Sequence, residues 1–474
     1  MSNAVAAIVL AAGAGRRFGG GKLLARLEGK AILQHVLDAL ASAGIGETVV
    51  VVGDDEAALD TAIDWRSARR VRNPQPQNGL SSSLHIGWGS VMAGDPRPDV
   101  VLVVLGDQPR LDPLVVSALL EQPIDPTRPV IVAVHADGAR NPVRLEPEAG
   151  GLVAAATGDR GLGPLLDSRP DLVRELRVGG TNPDIDTHAD LVTALTARWQ
   201  ARVVANKAQV DRVREVADGS DFYATVHKTF VADPARADDP VLQALLDIAL
   251  PGERWLDVGA GAGRYALPIA RRVGEVIAVD PSASMLGALS EGMAAHGVSN
   301  VAIHRGTWPP EDALRTVLGP DPVADVTLIA HVGYDIAEIE PFIDALEAAA
   351  RRRCVAVLME DSPASVAAPF WPPVHGEERV PLPALPEFVE LVTARGTTPK
   401  VSRVHAERRR WADRAELLAF LRRQLWTSPG GPADERLVSA LDQLTAPERD
   451  GGLGIIGARP LDIGIVTWTP AESR

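Results

Sequence analysis

The chain has 474 residues, 46% apolar and 23% charged, the balance of a soluble globular protein, and at ~150 residues per domain this length implies two or three separate cores. Net charge is -14, divided as -4 over residues 1–205 and -10 over the remainder; neither half has the basic excess that binds a phosphate backbone, which excludes nucleic acid as the expected partner. No apolar run approaches the ~18 residues of a membrane span, no basic segment precedes the apolar stretch of MSNAVAAIVL, and the single cysteine, Cys354, excludes an internal disulfide, so a cytoplasmic protein with small substrates and no membrane partner is expected.

Short β-branched runs at 6–10, 48–52, 100–105 and 129–134 alternate with helical spacing at 32–43 and 113–121. This is the pattern of parallel strands joined by helices. From Ala189 a long, mostly polar helical stretch runs to a stop signal at Asp218-Gly219-Ser220, after which the alternation restarts with a second glycine-rich turn, WLDVGAGAGR at 255–264. The expected fold is α/β: two tandem Rossmann-like three-layer α/β/α domains, residues 1–200 and 221–474, joined by a linker helix over 201–220. The proline-rich stretch 363–386 reads as a long loop over the second domain, because strand-like LDIGIVTW follows it. Cys354, within CVAVLM, reads as a packing residue, and Arg408, Arg409 and Arg410 beside Trp411 as a solvated helix face.

The first glycine-rich segment, LAAGAGRRFGGGK, follows the apolar run 5–10 directly. Small residues let backbone amides converge on an anion. The loop is expected to open a helix whose N-terminal dipole adds to that field, with Arg16, Arg17 and Lys22 supplying charge for a polyphosphate. No lysine here is followed by Ser or Thr, and no acid ends the next strand, VVVVG. Both the standard NTPase loop and the NAD fingerprint are thereby disfavoured.

LAAGAGRRFGGGKLL resembles the signature loop of the MobA-like nucleotidyltransferases that activate the molybdenum cofactor. The resemblance covers roughly residues 4–195 and continues through NPQPQNGLSSSL at 73–84, VLGDQP at 104–109, NPV at 141–143, GDRGLGPLL at 158–166 and DIDTHADL at 184–191. Its Ala-Ala-Gly opening, and its Arg-Phe-Gly followed by Lys-Leu-Leu, are similar to the cytidylyltransferase branch. The resemblance implies CTP as donor, molybdenum cofactor as acceptor and a molybdoenzyme as recipient of the product. It also implies nucleotide binding by Ala11, Ala12, Gly13, Gly15, Arg16, Arg17 and Lys22. Lys22 and Asp107 are the implied catalytic residues. Asp107 ends the strand VVLVVLGD, where an α/β sheet presents ligands, and with Asp186 of DIDT it is implied to hold Mg2+. Ser81, Ser82 and Ser83 either hold base or ribose or simply start a helix. Asn141 either contacts pterin or nucleotide or forms an Asn-Pro turn. His188 stands where the family carries proline.

RWLDVGAGAGRYALPIARRVGEVIAVDPS, 254–282, resembles the first motif and following strand of class I S-adenosyl-L-methionine-dependent methyltransferases. Asp257, Gly259, Gly261 and Gly263 follow the acid-x-Gly-x-Gly-x-Gly form, and Asp280 closes the next strand. Small residues let the methionine end of the cofactor lie against the loop, and Asp280 can accept from both ribose hydroxyls. NAD would use the same acid; the acid before the first glycine decides for S-adenosyl-L-methionine. GTWPPEDA at 306–313 falls where the family contacts adenine. His331, Tyr334 and Asp335 either face a methyl acceptor or serve as a packed histidine and a helix cap. The Asn/Asp-Pro-Pro-Tyr/Phe tetrapeptide is missing, leaving a small-molecule or protein acceptor. Two alternatives stay open: another phosphorylated acceptor for the first domain, and a cofactor-binding or interaction module without turnover for the second.

Overall fold

Runs of Val, Ile and Leu that are apolar on both faces are the residues of buried parallel strands. The computed structural model describes residues 4–215, 227–448 and 451–470, and it divides into two units, Met1–Val192 and Thr193–Arg474. The first unit contains β1 (Val5–Ala11), β2 (Glu47–Val52), β3 (Arg69–Arg72), β4 (Val100–Leu105), β5 (Val130–Val134), β6 (Val143–Leu145) and β7 (Val173–Arg177). They form one sheet in the order β3-β2-β1-β4-β6-β5-β7, with β6 the one reversed strand. Alternation along β1 divides the core: Ala7, Val9 and Ala11 face a cluster containing Leu33 and Val116, whereas Ala6, Ile8 and Leu10 face one containing Leu84 and Leu166. Helices on both sides of a central sheet give the three layers expected.

β6 carries an arginine into the interior. Arg144 and Glu146 are both fully buried, with Arg144 Nη2 3.3 Å from Glu146 Oε1. Arg144 donates to the carbonyls of Leu119 at 2.9 Å and Gln122 at 2.6 Å, and Arg174 adds a second contact to Glu146 at 2.8 Å.

The second unit contains β8 (Arg254–Val258), β9 (Glu275–Asp280), β10 (Val301–Arg305), β11 (Ala324–Ala330), β12 (Ala350–Met359), β13 (Lys400–Ala406) and β14 (Leu461–Trp468). Their order is β10-β9-β8-β11-β12-β14-β13, again with one reversed strand, β14. Trp255, Val276, Leu328 and Val357 centre its core. A second cluster gathers Phe370, Trp371, Leu417, Phe420 and Leu437.

Three local expectations change. The stretch 363–386 is not merely a loop: Pro363–Phe370 is 3-10 helix and Trp371–His375 is α-helix, because proline is tolerated in a first turn and the aromatic side chains bury. Arg408, Arg409 and Arg410 lie in a coil after β13, not on a helix. There Arg408 pairs with Glu448 at 2.9 Å, Arg410 with Glu407 at 2.8 Å, and the Arg409 guanidinium sits 4.3 Å from the Phe420 ring centre. The helix His188–Val213 contains the division between units, and from Thr193 onward it belongs to the second. Its residues Trp199, Asn206 and Gln209 hydrogen-bond to the carbonyls of Ile336, Val380 and Glu378. The stop signal at 218–220 lies outside the described residues. Cys354 is buried, and burial pushes its thiol up to about 12. No described helix is long and apolar enough to cross a membrane.

Candidate functional site

In the first unit the loop after β1 starts from Ala11 and Ala12, both buried, and passes through Gly15, Gly19, Gly20 and Gly21, all at positive φ. At Gly15 a side chain would have to adopt φ +55 with its Cβ 3.2 Å from that of Lys22. Successive left-handed residues cannot continue a helix. The loop therefore contains only two three-residue 3-10 turns, Arg16–Phe18 and Lys22–Leu24, and the expected helix dipole does not act here. Among the described residues the amides of residues 13–17, Gly13 and Arg16 included, have no intramolecular acceptor, so five N–H groups remain available to an anion.

Two distant segments converge on Lys22. Its Nζ lies 2.5 Å from Asp107 Oδ2 and 3.1 Å from Asp186 Oδ1, and Arg17 Nη2 lies 2.9 Å from Asp186 Oδ2. Burial pulls the Lys22 ammonium down, but Asp107 and then Asp186 outweigh it and hold the group above its usual range. Asp107 follows β4 at its carboxyl end, and its carbonyl accepts from Ile185 N at 3.1 Å.

Gln108, Asp184 and Asp190, none of them a candidate from the sequence, hold this arrangement. Gln108 Nε2 donates to Asp184 Oδ1 at 2.8 Å and to the carbonyl of Asn182 at 3.1 Å. Burial raises the Asp184 carboxyl, and the charges of Asp107 and Asp186 raise it further. Asp190 accepts from the amides of Asp186 at 3.0 Å and Thr187 at 2.7 Å. His188 stacks on Phe18 at 4.2 Å between ring centres, so it touches the glycine-rich loop.

Two hard carboxylate oxygens meeting on one cation are a donor set that suits a magnesium-sized ion. Among the described residues no group of three or more His, Cys, Asp or Glu forms a ready metal cage.

Ser81, Ser82 and Ser83 lie in the first turn of the helix Leu80–Met92. Ser82 Oγ donates to the carbonyl of Gly79 at 2.8 Å, and Asn73 Nδ2 donates to both Ser82 Oγ at 2.8 Å and Ser83 Oγ at 2.9 Å. Asn73 is buried and was legible only as part of NPQPQN. Asn141 lines a cavity of about 180 Å3 whose floor includes Leu10, Leu84 and Val103, with Arg140 and Arg160 on its polar side.

In the second unit Asp280 ends β9 and binds backbone amides with both oxygens: Gly261 N at 2.9 Å and Ser282 N at 2.8 Å. Gly259 and Gly263 are at positive φ, and a Cβ on Gly263 would lie 2.4 Å from Leu289 Cδ1. Asp257 is buried beneath this loop with Oδ1 unpartnered among the described residues. Burial and then the Asp280 charge push it up to about 7. His331, at φ 58 after β11, is pushed down to about 4 by burial and then by Arg264. The Tyr334 hydroxyl accepts from Met359 N at 2.7 Å, and Asp335 is exposed.

Residues 7–173 match the family model of the MobA-like NTP transferase domain, and residues 256–351 match that of a methyltransferase domain. The bifunctional protein GlmU of Bordetella petrii is 34% identical over 116 residues, 24% of this chain and 25% of that one. The probable molybdenum cofactor guanylyltransferase of Thermococcus gammatolerans is 35% identical over 88 residues, 18% of this chain and 46% of that one. A crystal structure of Rv0371C complexed with manganese, from Mycobacterium tuberculosis H37Rv, is 26% identical, covers 40% of this chain and 97% of that one, and has a TM-score of 0.35. The chain thus spans between a quarter and a half of the length of these two curated relatives. It joins a MobA-like NTP transferase domain to a methyltransferase domain, two domains of the transferase class.

Proposed function

We propose that the first unit is a Mg2+-dependent cytidylyltransferase that moves CMP from CTP to a molybdopterin-type molybdenum cofactor. The observation that carries this reading is the meeting of Lys22, Asp107 and Asp186 beside a loop with free amides. A terminal phosphate oxygen of the acceptor attacks the α-phosphorus and pyrophosphate leaves, so charge must be neutralised on both sides of that phosphorus. The amides of residues 13–17, with Arg16, Arg17 and Lys22, bind the donor phosphates. Asp107 and Asp186 hold Mg2+, which when bound supplies further neutralisation of phosphate charge. The apolar cavity bordered by Asn141 suits a flat heterocycle, with Arg140 and Arg160 on its polar side for a phosphate. The product passes to a molybdoenzyme.

The second unit binds S-adenosyl-L-methionine over Gly259, Gly261 and Gly263. Asp280 keeps lone pairs for ribose hydroxyls beyond those given to the two amides.

Full-length protein given CTP, Mg2+ and molybdenum cofactor releases pyrophosphate, and Asp107→Ala abolishes release while leaving the melting temperature near that of the parent. A guanylyl donor is the second reading, favoured by the name of the Thermococcus relative; turnover of GTP with none of CTP would establish it in place of the first. For the second unit, S-adenosyl-L-methionine affinity without formation of S-adenosylhomocysteine across an acceptor screen would identify a binding module.

A further inference from the structure

The structure assigns the second unit a binding site for the carboxylate of a small organic acid, in a cavity beside Arg379 and apart from the glycine-rich loop. The cavity, of about 140 Å3, is bordered by Ser362, Ser365, Arg379 and Leu382, with Glu360 and Asp361 also on its wall. Glu360–Ser362 follow β12 without a break, so the cavity opens at the carboxyl end of the sheet, where α/β folds bind ligands.

Arg379 is the group that defines its chemistry. One Nη donates to the carbonyl of Ala364 at 3.0 Å, and the guanidinium lies 4.7 Å from the Trp371 ring centre. Among the described residues no carboxylate pairs with it, and its buried Nε has no acceptor. Burial alone pulls it down to about 10. A desolvated guanidinium without a counter-ion is costly to a fold.

The segment carrying Arg379 is nevertheless fastened in place. Gln209 donates to the carbonyl of Glu378 at 2.8 Å and accepts from Val380 N at 2.8 Å, and Asn206 donates to the carbonyl of Val380 at 2.5 Å. Arg202, the other cation on the wall, is consumed by Glu387 and by the carbonyls of Pro381 and Leu382. One uncompensated cation on a pinned backbone, backed by an aromatic face, is an arrangement that a ligand anion completes. Glu360 and Asp361 on the same wall repel a dianion more than a monoanion, so a carboxylate is favoured over a phosphate.

The test is calorimetric titration of the full chain with benzoate and hexanoate, with benzamide and hexanamide as neutral counterparts and inorganic phosphate as the dianion. At least one carboxylate should bind saturably, at least tenfold more tightly than its amide and than phosphate. Arg379→Met should remove that preference and Arg379→Lys restore part of it. Arg379→Met should also leave the melting temperature of the free protein unchanged or raised, because an unpaired charge is removed while contact with Trp371 is kept. Absence of carboxylate binding, tighter binding of phosphate, or equal binding by Arg379→Met would overturn the assignment. So would a lowered melting temperature with the preference intact, since Arg379 would then be structural. S-adenosyl-L-methionine is titrated separately, so failure of the methyltransferase reading leaves this result standing.

Discussion

Asp257→Asn removes an ionisable group from a buried position under the methyltransferase loop. The Asp257 carboxyl ionises at its ordinary 3.8 in the unfolded chain and at about 7 in the folded one, so the folded state retains a proton that the unfolded state has lost. Stability from this residue is fully present below about pH 4 and is lost as pH rises through about 7. A shift of about three units at 1.36 kcal/mol per unit amounts to about 4 kcal/mol across that window. Asn cannot ionise, so the variant lacks this slope, and its stability relative to the parent rises by up to about 4 kcal/mol between pH 4 and pH 8. Hydrogen exchange of peptides covering 254–280 in the full chain, corrected for intrinsic rates, reads the difference locally. If parent and variant show the same pH dependence there, Asp257 is ionised in the folded state and the argument from its burial beside Asp280 is refuted.

Gly263→Ala forces a side chain onto φ +80 and into Leu289; it should weaken S-adenosyl-L-methionine binding at least tenfold in equilibrium dialysis and cost about 1–3 kcal/mol in the second unit's melting. Glu146→Ala leaves Arg144 buried without its counter-ion, and denaturant unfolding of the first unit should show a loss of about 3–5 kcal/mol. Lys22→Met removes the cation that sits on Asp107 and Asp186, so manganese affinity measured by electron paramagnetic resonance should rise by roughly tenfold or more while pyrophosphate release stops. Unchanged manganese affinity would mean that the two carboxylates do not form the metal site.

The interior strands were legible because apolar residues run through β1, β4 and β5 without interruption and fill β2 from Val49 to Val52. The edge strands β3 and β7, RRVR and VRELR, were not, because charged residues on a sheet edge look like a polar loop. β6 escaped for a related reason: its central Arg144 finds its partners in the distant carbonyls of Leu119 and Gln122 and in Glu146. In the site, Lys22, Asp107 and Asp186 could each be picked out by motif, but the meeting of Lys22 and Asp186 across 164 positions is a tertiary contact that no local pattern shows. Asn73 acts through hydrogen bonds to Ser82 and Ser83, and Gln108 through hydrogen bonds to Asn182 and Asp184. Such roles leave no spacing pattern. The expected helix after the first glycine loop failed for a local reason, since three adjacent glycines at positive φ suit turns and oppose helix.

The most direct measurement is diffraction at the manganese absorption edge from crystals of the full chain soaked with CTP and manganese chloride. An anomalous peak is expected within coordination reach of Asp107 and Asp186, with the triphosphate lying along the amides of residues 13–17. A nucleotide bound elsewhere on the first unit, or manganese away from both carboxylates, would contradict it.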